Sequence, residues 1–233
     1  MAEDTENTGS TAANANSPAT ATADSPSASK AAAATAQDCL QMLRDMRDVA
    51  FATVDAQGLP HVRIIDVMIV DEGRLVFCTA RGKDFYEELT ATGRVAITGL
   101  NDSWQTVRLA GPVTKLDDER AWIDRIFAEN PSMEHVYPGE SRYVLEPFAV
   151  ESGQVELFDL GREPIDRHRF EFGEAVRRHG FVITDACIGC GTCQAGCPQR
   201  CIEDGVPFLI HQDHCLHCGY CFENCPVQAI ERI

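Results

Sequence analysis

Cys187-Ile188-Gly189-Cys190-Gly191-Thr192-Cys193-Gln194-Ala195-Gly196-Cys197-Pro198 returns, 28 positions later, as Cys215-Leu216-His217-Cys218-Gly219-Tyr220-Cys221-Phe222-Glu223-Asn224-Cys225-Pro226. Both copies read C-x-x-C-x-x-C-x-x-x-C-P. The likeness extends to Gly191/Gly219, Ile202/Ile230 and Glu203/Glu231, so this end of the chain is an internal duplication and is expected to fold about an approximate two-fold. A cubane needs thiolates converging from different directions. Three cysteines on one tight loop cap one side of it, and the next cysteine points away.

This spacing resembles that of two-cluster bacterial-type ferredoxins, in which the fourth ligand of each [4Fe–4S] cluster comes from the other copy. The resemblance assigns Cys187, Cys190, Cys193 and Cys225 to one cluster, and Cys215, Cys218, Cys221 and Cys197 to the other. Small loop residues (Gly189, Gly191, Thr192, Gly219) let backbone N–H groups reach the sulfurs, and each proline after a fourth cysteine ends the local run of hydrogen bonds. Structural zinc sites favour pairs of C-x-x-C across a longer spacer, and a disulfide scaffold calls for a secretory signal. Cys201 aligns with Ala229 and reads as a small buried residue rather than a ligand. His217 reads as a loop spacer with the option of tuning its cluster by hydrogen bonding.

The composition narrows the rest. Eleven cysteines point to a reducing compartment and, with no signal pattern and no apolar run of spanning length, to the cytoplasm. The lability of cubanes in air points to an anaerobic host. A formal charge of −16 argues against nucleic acid and against an anionic membrane surface. From Gly180 onward six acids face two bases, which suits either docking on a basic redox partner or plain solubility.

Residues 1–36 are Ala, Thr, Ser, Asn and Pro without Leu, Ile, Val or an aromatic residue, and are expected to be a disordered low-complexity tail. Asp38–Asp48 reads as a short amphipathic helix with Leu40, Leu43 and Met46 on one side. The period then changes. Val49–Val54, Pro60–Met68, Arg74–Thr79, Val95–Leu100, Trp104–Val113 and Arg142–Val150 carry strand composition, and turn signals separate several of them. One helix follows Gly82 with Phe85 and Leu89 facing inward; another is expected to be capped by Asp117 and to stop at Asn130-Pro131. The expected class is mainly β (α+β): a small closed antiparallel barrel over 37–160, a charged linker over 161–179, and the cysteine-rich domain over 180–233.

Ala50–Val54, Gly58–Arg63, Phe77-Cys78-Thr79 with Lys83, and Trp104–Gly111 together resemble the flavin-binding split barrels related to pyridoxamine 5′-phosphate oxidase. The resemblance implies a homodimer with FMN in the groove between subunits. It places Arg63, Ile64 and Ile65 on the strand running from the flavin phosphate to the ring edge, Cys78 and Thr79 at the end of the next strand, Lys83 as a second phosphate cation, and Gln105 or Thr106 beside the flavin. The chemistry of a phosphate site agrees: Arg63 offers a planar fork, Lys83 a point charge, and the helix near Gly82 free N–H groups. Arg81 either joins them or faces solvent. The likeness has gaps. Met68 stands where the oxidase has lysine, and the oxidase's C-terminal Arg/His pair has no counterpart, so oxidation of a B6 vitamer is not expected. Split barrels also include haem and deazaflavin binders.

The sequence therefore leads to an iron–sulfur flavoprotein that passes electrons between two [4Fe–4S] clusters and an FMN and reduces a small organic substrate. The alternatives are a non-catalytic electron carrier between protein partners, and a flavin- or haem-binding sensor or storage module.

Overall fold

The computed structural model describes residues 34–233, and the tail reading of residues 1–36 lies outside these except at 34–36. Residues 34–233 form one compact body. Helix α1 (Ala36–Met46) begins earlier than its apolar spacing suggests, because Thr35 and Asp38 make a reciprocal capping box. Its buried Cys39, Leu40 and Leu43 face the barrel.

Two antiparallel sheets follow. The chain runs through β1 (Asp48–Val54), β2 (Pro60–Asp66), β3 (Ile69–Asp71), β4 (Arg74–Ala80), α2 (Asp84–Thr92), β5 (Arg94–Leu100), β6 (Gln105–Pro112), β7 (Thr114–Lys115), α3 (Glu119–Glu129), β8 (Leu145–Val150), β9 (Gly153–Asp159) and β10 (Asp166–Phe172). The first sheet has the order β10-β9-β6-β5-β1-β2 and the second β3-β4-β8-β7. The chain passes back and forth between the two sheets, β1 and β2 lying in the first, β3 and β4 in the second, β5 and β6 in the first again. The expected single strand Pro60–Met68 ends at Asp66; Val67 bonds back to Arg47, Met68 bonds to Val76, and the chain enters the second sheet at Ile69. At the β6 crossing Gly111 is obligatory, since a Cβ there would lie 2.1 Å from the Ser152 carbonyl oxygen.

The second sheet is covered on both faces. One face meets the first sheet through Phe51, Phe77, Phe85 and Phe148, whose rings stack or meet edge-on. The other meets α3 through Val76, Cys78, Ile123 and Ile126. That is why β4 and β8 are apolar without alternation. The cap expected at Asp117 is absent: α3 follows Asp118, which has φ of 54° and makes no side-chain cap bond.

The stretch expected to be a linker, 161–179, contains β10, which pairs with β9 along its whole length. The first sheet therefore extends through Phe172, beyond the boundary placed at 160. Strands β9 and β10 lie outside the expected strand list because they carry many charges, whose partners are across the sheet.

The cysteine-rich end repeats one unit. Strand β11 (Phe181–Ile183), the single turn α4 (Thr192–Ala195) and β12 (Ile202–Glu203) are echoed by β13 (Leu209–Ile210), the turn α5 (Tyr220–Glu223) and β14 (Ile230–Arg232). Each early strand pairs with the late strand of the other copy, β11 with β14 and β13 with β12. Backbone angles repeat too: φ is 75° at Gly191 and 84° at Gly219, 70° at Gly189 and 56° at His217.

Candidate cofactor sites

The crossed strand pairing brings the eight thiols together four by four. Cys187, Cys190, Cys193 and Cys225 surround one small cavity, lined also by Ile183, Phe208 and Ile230. Cys197, Cys215, Cys218 and Cys221 surround the other, with Cys201, Phe181, Ile202 and Ile210. These are the groupings that cross-ligation requires. The nests also supply N–H donors to sulfur: Gly189 to Cys187 at 3.4 Å, His217 to Cys215 at 3.3 Å and Ala229 to Cys225 at 3.2 Å, with the Thr192 hydroxyl 3.4 Å from Cys190. Such contacts stabilise thiolate charge, so the donor set fits an iron–sulfur cluster in each nest.

Cys201 has a larger part than a small buried filler. Its sulfur lies 3.6 Å from that of Cys197, and it lines the same cavity as Cys215, both members of the second nest. The neighbouring Cys201 lowers the Cys215 thiol below its ordinary value. Internal alignment opposite alanine could not reveal this, because Ala229 carries no sulfur and the approach to Cys215 crosses between copies. His217 holds the left-handed position that glycine fills in the first copy, and burial beside Arg167 and Arg169 lowers its imidazole to about 4.

The barrel residues separate into three groups. Arg63 points inward from the middle of β2, with its guanidinium 4.6 Å above the Phe85 ring. There it pairs with Glu88 at 2.7 Å and donates to Thr53 at 2.5 Å, and the Thr53 hydroxyl in turn donates to Glu88. Glu88 is buried, so Arg63 is the counter-ion of an internal carboxylate rather than a free phosphate fork. The signal in the sequence was Glu88 itself, a charged residue at helical spacing between Phe85 and Leu89 on the buried face of α2.

Thr79 and Lys83 form the second group. Thr79 is buried and its hydroxyl has no partner, which marks a polar position completed by something other than the chain. Lys83 is exposed at the N-cap of α2, makes no ion pair among the described residues, and no side chain caps that helix. Arg81 is engaged elsewhere, 2.9 Å from the Tyr143 carbonyl and 3.4 Å from Glu146. Cys78 is buried toward α3 and burial pushes its thiol up to about 12, which leaves it chemically inert. Ile64 is exposed on the outer face of β2, while Ile65 packs inward.

Gln105 stands apart. Its amide joins Asn101 and Asp159, each at 3.0 Å, and locks the β5–β6 turn. Strands β5 and β1 lie between it and β2 in the first sheet, and Thr79 lies on β4 of the second.

Comparison with known proteins distinguishes the barrel from the cysteine-rich end. The profile of the family described as pyridoxamine 5′-phosphate oxidase matches residues 35–152, half of the chain, and that described as a 4Fe-4S dicluster domain matches residues 179–229. The chain belongs to the pyridoxamine 5′-phosphate oxidase family and carries a C-terminal 4Fe-4S dicluster domain. It is 30% identical over 138 residues to a pyridoxine/pyridoxamine 5′-phosphate oxidase of Mesorhizobium japonicum, covering 54% of this chain and 64% of that protein. It is 31% identical over 133 residues to the protein of that name from Brucella canis, covering 52% and 63%. The chain thus spans less than two thirds of the length of these relatives. Among solved structures, a NimC/NimA family protein from Clostridium acetobutylicum is similar at 21% identity and a TM-score of 0.48, covering 56% of this chain and 87% of that one.

Proposed function

We propose that the chain is an iron–sulfur flavoprotein that holds FMN in the barrel and two [4Fe–4S] clusters in the duplicated domain, and that it reduces a small organic substrate at the flavin. The observation that carries this reading is the gathering of eight thiols into two nests within the same compact body as a barrel of the oxidase family. The two parts are in contact, with His214 Nδ1 2.9 Å from the Ile165 carbonyl. When bound, a flavin exchanges electrons singly or in pairs and a cubane cluster one at a time, and that is the chemistry these groups would supply.

The chain's own residues do the holding. Eight cysteines ligate the metal. Lys83 and the uncapped start of α2 receive the flavin phosphate, the Thr79 hydroxyl bonds the cofactor, and Arg63 positions α2 through Glu88. The outer face of β2, β1 and β5 supports a homodimer: Val62 is 70%, Ile64 64% and Leu100 56% exposed around small Ala50, Ala52 and Ala96. A second copy there would bring its own Gln105 or Thr106 to this groove. Met68 is buried and carries no charge at the oxidase's lysine position, which supports a substrate other than a B6 vitamer. Thiolate ligation favours the cytoplasm, where thiols stay reduced. Among the described residues no helix is long and apolar enough to cross a membrane.

Anaerobic purification tests the reading. About eight irons and one flavin per chain are expected, together with turnover of at least one compound in a panel of nitro, quinone and enoate acceptors. A sample with flavin and iron but no turnover would make the protein an electron carrier between partners. A colourless, zinc-rich sample would overturn both.

A further inference from the structure

Beneath the cysteine-rich domain, where β10 and the segment 173–180 meet β11 and β13, lies a cavity of about 470 Å³. The flavin reading makes no use of it. Its volume falls within the range of small-molecule sites. Its lining combines apolar side chains, among them Phe181, Phe208 and Ile210, with the guanidiniums of Arg167, Arg169, Arg177 and Arg178 and the ring of His179. In a chain of formal charge −16 this is a local reversal of sign.

Most of that positive charge is not neutralised. Glu156 alone faces Arg108, Arg167 and Arg169, at 2.8, 3.1 and 2.9 Å, so one carboxylate is shared by three guanidiniums. Arg177 and Arg178 are exposed and make no ion pair among the described residues, and Asp213 is the acid on the cavity wall. Polar atoms are also left over inside. The Arg167 side chain is only 10% exposed, yet its Nε has no partner, and neither have the buried Gln212 Oε1 and His217 Nε2. Of these, the Arg167 Nε–H is a donor of the kind an anion's oxygen satisfies, whereas Gln212 Oε1 is an acceptor that an anion would not pair.

We propose that this cavity binds a small organic anion with a flat apolar body that ends in a carboxylate or phosphate. The apolar wall takes the body, the arginines take the charged end, and guanidinium forks match both anions in geometry. His217 lies between Cys215 and Cys218, so a bound molecule rests against the loop of the second thiol nest.

Calorimetric titration of the anaerobic full chain with 2-naphthoate and 1-naphthyl phosphate, against neutral 2-naphthamide and inorganic phosphate, tests this. One or both aromatic anions should saturate one site per chain. The amide should bind at least about tenfold more weakly, the size of one lost charge-assisted bond. The double variant Arg177→Ala/Arg178→Ala should weaken the anions by about tenfold or more while iron and flavin content stay unchanged, since both side chains are exposed. Binding of naphthoate but not the phosphate ester, or the reverse, identifies the end group. The proposal fails if neither anion binds, if the amide binds equally well, if inorganic phosphate binds as tightly as the ester, or if the double variant binds like wild type.

Discussion

At the scale of single residues, the proposed flavin site rests on a hydroxyl and an ammonium. Thr79→Val keeps the shape and removes only the unpartnered hydroxyl, and Lys83→Ala removes an exposed charge that holds nothing else together. Both variants should fold normally and retain less FMN, by about tenfold in affinity for the lysine, measured as flavin released on dialysis. Unchanged flavin content in both would remove the phosphate site from this end of α2. Arg63→Ala is a different experiment, because it strands the buried carboxylate of Glu88. It should lower stability by about 2–4 kcal/mol, somewhat under the usual cost of breaking a buried pair because Arg63 is partly exposed. Cys201→Ala should leave iron at about eight per chain and shift the potential of the second cluster, since the contact is to ligands and not to metal. Loss of half the iron would make Cys201 a ligand.

At the scale of elements, β10 is the piece whose role the composition conceals. It joins the first sheet through backbone pairing, and its arginines converge on Glu156 of β9. Burial alone would raise that carboxyl, but Arg167, Arg169 and Arg108 outweigh it and hold the group below its ordinary value of 4.5. A carboxylate with a lowered folded value stabilises above its unfolded value, and the contribution disappears as the pH falls through the folded one. Glu156→Gln should therefore cost about 1–3 kcal/mol at pH 7, discounted because Arg108 is half exposed. The gap to wild type should close as the pH is lowered from 5 toward 3. Urea midpoints of the two proteins measure this, and a gap independent of pH would mean that the ion cluster is not its source.

For the whole molecule, the crossed pairing of the duplicated units makes each nest depend on both copies. Cys225→Ser should damage the cluster of the Cys187 loop and leave Cys215, Cys218, Cys221 and Cys197 intact, which resonance spectra of the two clusters would separate. Loss of the other cluster instead would reverse the assignment. The proposed dimer places its interface on the exposed apolar face of β2, where Val62 and Ile64 lie. Ile64→Glu places a charge there without disturbing the core, and should convert a dimer to a monomer and release flavin, as seen by light scattering and absorbance. A variant that stays dimeric and keeps its flavin would move the interface elsewhere.

What could be read from the chain alone follows how local each feature is. The thiol nests were legible because spacing within a few residues dictates which sulfurs share a centre, and duplication supplies the symmetry that crosses the fourth. Strands β1, β2, β4, β5, β6 and β8 were legible through their apolar runs. Features decided across space were not. The membership of β10 in the barrel, the commitment of Arg63 to Glu88, the separation of Gln105 from Thr79, and the meeting of Cys201 with Cys197 and Cys215 all depend on which distant residue lies opposite. A charge or thiol takes its role from its partner, and only packing of the folded chain chooses that partner.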